Sequence, residues 1–337
     1  MAGSSLVLSR RAFAHLLAAA PIALAARRTV AQGTVWSMAT EYPATTVSGE
    51  AIAFFADRMA KESSGRLAIA PSYDAPRGLK SADIVLAIRD GQLAAGDSFA
   101  GALGRIDPLF LLSSLPFVAM GPAEARRLLD AARGLYANRF AREKQRLLYA
   151  PPWPASGLWA KKPILTPADL AGLPLRVYDA TGFELFASAG ARPVNLSFAD
   201  TMPRIVDGSV QAVLSSGDGG AGRKLWEHLP YFTEIGYAMP LSFGTLGQPL
   251  YDDLPADLRG VVDRGADATQ AWLWELLTRR IEQNHARLEA NKVTIVAADR
   301  VSPELRAALV QAASGAIESW KHQAGPEAAA VLDAQRR

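Results

Sequence analysis

Arg176 is the residue whose type and placement point most directly to ligand chemistry. It lies in the stretch 163–218, PILTPADLAGLPLRVYDATGFELFASAGARPVNLSFADTMPRIVDGSVQAVLSSGD. Within residues 173–178, Leu173, Leu175 and Val177 alternate with Pro174, Arg176 and Tyr178. A period of two is that of a strand. It sends the apolar set to one face and Arg176 with Tyr178 to the other. A guanidinium at the end of a strand and before a helix is a planar fork of donors suited to an anion in a cleft. A solvated arginine in a surface ion pair fits the same spacing, so the strand alone leaves both readings open.

Other polar residues stand at the ends of short apolar runs. Tyr42 and Thr45 follow a first strand. Residues 88–97 (IRDGQLAAGD) are echoed by 205–218 (IVDGSVQAVLSSGD), which brings Asp97 with Ser98 and Ser216 with Asp218 to matching positions. In both, a helix ends in Asp-Gly, a short strand follows, and small residues close it. Small residues and free N–H groups at a strand's C-terminal end form the ligand rim of an open sheet. One rim per lobe implies two lobes facing a cleft, although Asp-Gly turns are common and a capping role for each residue is equally open. Asp97 and Asp218 suit an ammonium, hydroxyls or a cation bridging to the ligand. Residues 217–222 (GDGGAG) also fit the G-x-G-x-x-G spacing. A dinucleotide site needs an acid about 20 residues on, at the end of the next strand. None stands there, so a flexible, anion-tolerant loop at the cleft rim is the expectation.

Composition narrows the chemistry. The chain has no cysteine, which excludes disulfides, zinc thiolates and cysteine nucleophiles. The histidines His15, His228, His285 and His322 are far apart, and a histidine metal cluster or a Ser-His-Asp triad is not expected. No cofactor or metal is implied. The net charge of +3 misleads, because the first 31 residues hold Arg10, Arg11, Arg27 and Arg28 and no acid. Without those four, 32 of the 36 basic residues face 33 acids, and nothing points to nucleic acid or an anionic membrane. Ser9-Arg10-Arg11-Ala12-Phe13 ahead of the apolar run 12–26, with Thr29-Val30-Ala31 beyond, reads as a signal peptide over 1–31. The arginine pair resembles the twin-arginine export motif, and an ordinary Sec signal is the other option. Either route places the mature protein outside the cytoplasm, in the periplasm.

The elements that position these residues follow an α/β alternation. Strands are expected at 34–39, 67–73 and 92–95, with helices at 47–62 and 81–90, the latter capped by Ser81. Helices at 123–132 and on to about 144 precede a strand at 147–150. The run Pro151-Pro152-Trp153-Pro154 stiffens an inter-domain crossing. Beyond it come the Arg176 strand, a helix over 181–189, a strand over 193–196 and a helix capped by Ser197, which Pro203 should bend or confine to its first turn. Residues 234–245 cross back. After Pro255 an apolar pattern of period 3.6 continues for roughly 35 residues, or ~50 Å, long enough to span two lobes. Ser302 opens a last amphipathic helix.

This order of features resembles the solute-binding proteins of tripartite ATP-independent periplasmic (TRAP) transporters, the dicarboxylate-binding-protein family, from about residue 35 to 309. The residues that carry it are Ser64-Gly65-Arg66-Leu67, Leu115-Pro116-Phe117, Leu170-Ala171-Gly172-Leu173-Pro174-Leu175-Arg176-Val177, Gly190-Ala191-Arg192-Pro193-Val194, Asp207-Gly208 and Leu254-Pro255. The resemblance implies a two-lobe, type II periplasmic-binding-protein fold, with a long helix bracing both lobes. Lobe I would comprise 32–154 plus about 242–280, and lobe II 155–241 plus about 281–337. It also implies a bidentate pair between Arg176 and a ligand carboxylate. Two positions depart from the pattern: Trp159 stands where many members carry a second arginine, and Ser215 near a common asparagine. Both changes remove polar partners. A monocarboxylate with an apolar or aromatic body, packed on Trp153, Trp159 or Phe183, is then at least as well matched as a dicarboxylate.

The expected function is non-catalytic: capture of a small organic acid by cleft closure and delivery to the small and large membrane subunits of a TRAP permease, by a protein the resemblance implies is monomeric. Two other classes share the fold: a secreted hydrolase or oxidoreductase, and a ligand-sensing partner of a membrane receptor. The expected ligand contacts are Arg176, Trp159, Ser215, Tyr178, Trp153, Asp218, Asp97, Ser216 and Tyr42.

Overall fold

The computed structural model describes residues 33–335, so the expected signal peptide at 1–31 lies outside the described residues. The chain begins with β1 (Thr34–Thr40), α1 (Val47–Glu62), β2 (Leu67–Ser72), α2 (Ser81–Arg89) and β3 (Ala95–Phe99). Then come α3 (Pro122–Arg142), β4 (Gln145–Tyr149) and β5 (Ser156–Ala160). The middle of the chain is α4 (Pro167–Leu170), β6 (Pro174–Val177), α5 (Ala180–Ser188), β7 (Arg192–Asn195), α6 (Phe198–Val206), β8 (Ala212–Ser216) and α7 (Gly217–Gly222). It continues through β9 (Tyr231–Thr233), β10 (Ser242–Gly247), α8 (Gln248–Asp252), α9 (Ala256–Ala290), β11 (Thr294–Val296), α10 (Pro303–Ala324) and α11 (Pro326–Gln335).

Two sheets result. One has five strands in the order β2-β1-β3-β10-β4, and the other six in the order β11-β9-β5-β8-β6-β7. In each, the βαβ units give parallel pairs, β1 with β2 and β3, β6 with β7 and β8. The strand that returns from the other sheet, β10 in the first and β5 in the second, runs antiparallel to its neighbours. The proline run 151–154 leads from β4 to β5 and so connects the sheets, as its stiffness implied. It is zipped to the returning segment: Trp153 N donates to Pro240 O (2.8 Å) and Ser242 N to Pro151 O (2.9 Å). The helix α9 has 35 residues and packs on α1 and β4 of one sheet's side and on α7 and β11 of the other's. One core cluster runs from Met38 and Phe55 through Trp153 to Leu175 and Val213, so apolar packing is continuous across the meeting of the two layers.

Several elements differ from the sequence reading. The two helices expected between 123 and 144 are one helix of 21 residues, in which Gly134 has nothing near it to force a break. Pro203 lies within α6, which continues one turn beyond it, so the proline neither ends the helix nor confines it to its first turn. The strand expected at 92–95 is instead β3, shifted so that Asp97 and Ser98 lie inside it. The reason is packing: a Cβ on Gly96 would meet Ile84 Cγ2 at 2.2 Å, so the residue that lets α2 lie on the sheet must sit within the strand. Residues 217–222 form the helix α7 with buried residues, not a flexible rim loop. Ser216 Oγ caps it by accepting from Gly219 N at 3.1 Å. Its glycines serve close approach, since a Cβ on Gly220 would lie 2.3 Å from the Trp159 indole.

Candidate functional site

A small cavity lies between the two sheets, at the C-terminal ends of their parallel strands. From the five-stranded side it takes Tyr42, just past β1, and Phe99, the last residue of β3. From the six-stranded side it takes Arg176 of β6, Tyr178, Phe198 at the start of α6, and Ser215 with Ser216 at the end of β8. Trp153, Ser156 and Pro240 come from the connecting ribbon. This is where the strand topology exposes chain ends and lets two layers share a ligand.

The rings make a cage. Tyr42 lies 4.7 Å from Trp153, 6.1 Å from Phe99 and 6.3 Å from Phe198, centroid to centroid. Phe99 meets Tyr178 edge-on at 5.1 Å. The Trp153 indole N–H is held by Ser242 Oγ at 2.9 Å, and the Tyr178 hydroxyl donates to Ser156 Oγ at 3.3 Å. Arg176 is the one charged residue among the described residues that line this cavity, and it is 3% exposed. Its Nε donates to Leu196 O (2.9 Å) and its Nη1 to Leu214 O (3.2 Å), which fixes the plane of the guanidinium. Phe198 stacks against it, with the guanidinium carbon 5.0 Å from the ring centre. Among the described residues no carboxylate lies within ion-pair distance of Arg176, so several N–H donors of a buried cation face the cavity. Burial lowers the guanidinium from its ordinary value, and the neighbouring Tyr42 and Glu41 oppose that. The arrangement can accept a carboxylate in a water-poor site where the charge-assisted pair is strong.

Six of the nine expected contacts come together here: Tyr42, Trp153, Arg176, Tyr178, Ser215 and Ser216. Three do not. Trp159 is fully buried behind the site, donates its indole N–H to Ser216 O (3.2 Å) and packs on Phe232 (5.1 Å). Its strand β5 is interior to the six-stranded sheet, and its side chain fills the space under α7 that the glycines leave. Asp97 sits within β3 at 0% exposure, reached by Thr40 Oγ1 at 3.5 Å, with Oδ2 unpartnered, and burial pushes its carboxyl up to about 7. Asp218 is also at 0%, accepts from Val47 N (2.8 Å), and faces Arg280 Nη1 at 3.5 Å. Neither aspartate is among the residues that line the cavity. Phe183, expected as a packing surface, is 43% exposed and away from the lining.

Phe99, Phe198, Ser156 and Pro240 were missed. Phe99 follows Ser98 of the 88–97 echo, and Phe198 follows the helix cap Ser197, so each stands next to a residue the sequence singles out. Pro240 and Ser156 arrive through the antiparallel ribbon, which no local pattern announces.

Residues 38–323 match the family described as bacterial extracellular solute-binding protein, family 7. The chain belongs to that family. Its members are the solute-binding proteins of TRAP transporters, and the two-lobe α/β fold and solute-binding role read from the sequence are those of the family. A crystal structure of a Bordetella pertussis extracytoplasmic solute receptor binding pyroglutamic acid superposes with a TM-score of 0.85 at 26% identity, covering 90% of this chain and 100% of that one. A TRAP solute-binding protein from a marine metagenome, from an unidentified microbe, is described as specific for pyroglutamate. It gives 0.84 at 26% identity, over 90% of this chain and 99% of its own. A solute-binding protein of Chromohalobacter salexigens is 29% identical over 154 residues, 44% of this chain and 45% of that protein, so that match spans less than half of either. The family is one of solute-binding receptors. No helix among the described residues is long and apolar enough to cross a membrane.

Proposed function

We propose that this protein captures a compact monocarboxylate of the pyroglutamate class, the acid group on Arg176 and the body inside the ring of Tyr42, Phe99, Trp153, Tyr178 and Phe198. The observation that carries the reading is a buried guanidinium that, among the described residues, has no carboxylate partner and lines an aromatic-walled cavity. An isolated buried charge is costly, and a ligand carboxylate with bidentate geometry offsets that cost. A second carboxylate would need a second cation; the inner cavity's lining holds none, and Lys80 and Arg105 line only the outer cleft that shares Arg176 with it. The hydroxyls of Ser156, Ser215, Ser216 and Tyr178 suit amide or carbonyl groups on the ligand body. The Bordetella and marine receptors, described as binding pyroglutamate, lend the same support.

The ligand is taken up by hinge closure between lobe I (32–154 plus about 242–280) and lobe II (155–241 plus about 281–337), and α9 braces both. The loaded monomer, exported to the periplasm by its signal peptide, then docks on the small and large membrane subunits of a TRAP permease and turns over no substrate. Calorimetry on the purified protein tests the reading. Pyroglutamate is expected to bind with micromolar or tighter affinity and succinate much more weakly. A preference for succinate would sink the monocarboxylate assignment.

A further inference from the structure

Glu41 follows β1 on the five-stranded side and is 1% exposed. Its Oε2 accepts from Ser81 N (3.1 Å) and Ser81 Oγ (3.0 Å), at the start of α2 on its own side. Its Oε1 accepts from Phe198 N (2.9 Å) and Ala199 N (3.3 Å), at the start of α6 on the six-stranded side. One buried carboxylate therefore joins the first turns of two helices that belong to opposite sides of the cleft. First-turn N–H groups have no partner within their own helix, and the helix dipole favours a negative charge there. The main-chain oxygen of Glu41 is held across the cleft as well, by Arg223 Nη2 at 2.9 Å, and Arg223 also pairs with Asp74. Asp218 makes the reverse contact, reaching from the six-stranded side to Val47 N at the start of α1.

We propose that Glu41 is a closing clasp: a positioning residue that holds the two lobes shut over the ligand and so sets how fast the ligand escapes. Glu41 does not line the inner cavity, but both residues it ties together do. Its chain neighbour Tyr42 and its partner Phe198 form the aromatic wall that crosses the cleft, their rings 6.3 Å apart. Opening the cleft separates Glu41 from Phe198 and Ala199, leaves it on Ser81 alone, and parts the Tyr42 and Phe198 rings. The clasp does not depend on which acid is bound, and it rests on the cleft-closure reading above.

The chain has no cysteine, so Lys80→Cys with Asp200→Cys supplies a single thiol pair. These two residues form an exposed ion pair, 2.6 Å apart, across the same two helices. In ligand-free protein, the rate at which a short bis-maleimide joins the thiols reads how often the lobes meet. Adding Glu41→Ala is expected to slow that reaction at least about fivefold, and Glu41→Asp to restore part of it. With pyroglutamate as the probe in stopped flow, Glu41→Ala is expected to raise the dissociation rate about tenfold or more and leave the association rate within about twofold. A purely structural role would lower the melting temperature of the ligand-free protein without that split. Equal cross-linking rates with and without Glu41 overturn the proposal. If Glu41→Ala does not fold, Glu41→Gln keeps the shape, removes the charge and is judged on the same cross-linking rate. A wild type that fails to bind pyroglutamate counts against the ligand assignment alone, and the cross-linking arm still decides the clasp.

Discussion

Arg176 and Arg280 are buried to nearly the same degree, at 3% and 6% exposure, in opposite surroundings. Arg280, on α9, pairs with Glu50 and with Asp218, and its Nη1 donates to Thr45 O at 3.4 Å. Those partners come from α1, the segment before it and α7, so the long helix is pinned to both sides of the cleft by charges the protein supplies itself. Arg176 has two backbone carbonyls, an aromatic face and, among the described residues, no carboxylate. The first arginine is part of the frame. The second is completed only from outside. The lesson is that burial of a charge does not mark a binding site. What marks it is a buried charge whose counter-charge is missing while a cavity lies in front of it.

Stability should change most. Arg280→Met should leave Asp218 buried without its cation and cost about 3–5 kcal/mol in denaturant unfolding of the ligand-free protein. Arg176→Ala should cost about 2–5 kcal/mol of ligand affinity by calorimetry. The same change should leave ligand-free stability equal or higher, because it removes a desolvated charge with no partner. A loss of stability as large as that at Arg280 would erase the distinction. Arg176→Lys should fall between wild type and alanine in affinity, since an ammonium cannot present the planar fork.

A smaller effect concerns pH. Asp97 and Asp179 are pushed up to about 7 by burial, above the ~3.9 of an unfolded aspartate. Between those values the folded chain holds protons that the unfolded chain has released. These groups therefore make stability fall as pH rises from about 4 to 7, with no further change above. Asp97→Asn should flatten part of that slope in unfolding titrations at several pH values. The smallest effect is expected at the exposed Lys80–Asp200 pair, where Lys80→Ala should change folding stability by about 0–1 kcal/mol.

The sequence made Arg176 a candidate by its alternation with Leu175 and Val177, and the α9 span by its apolar period. The crossing at Pro151–Pro154 was legible from ring stiffness, and the cap at Ser197 from its own spacing. Each of these is a local property, carried within a few turns or one strand. The errors cluster where neighbours remote in sequence decide. Ser81 was read as a cap, but its hydroxyl goes to Glu41, 40 residues earlier in the chain. Asp97 was placed on a rim, yet the contact of Gly96 with Ile84 draws it inside β3. The glycines of 217–222 were read as freedom, and they are instead the clearance for Trp159.

Local patterning carries the kind of molecule: α/β alternation repeated on either side of a stiff crossing, a brace too long for one lobe, and an arginine at a strand end. Periodicity and chain stiffness suffice for that, because they act between residues close in the chain. Which polar residues face the cavity and which are spent on holding it is settled by the packing of the two sheets. Asp218, Asp97 and Trp159 carry groups able to bind a ligand, and each is taken up by a partner of the fold. That choice depends on the crossing angle and register of two layers that meet only after both have folded, and no spacing along the chain encodes it.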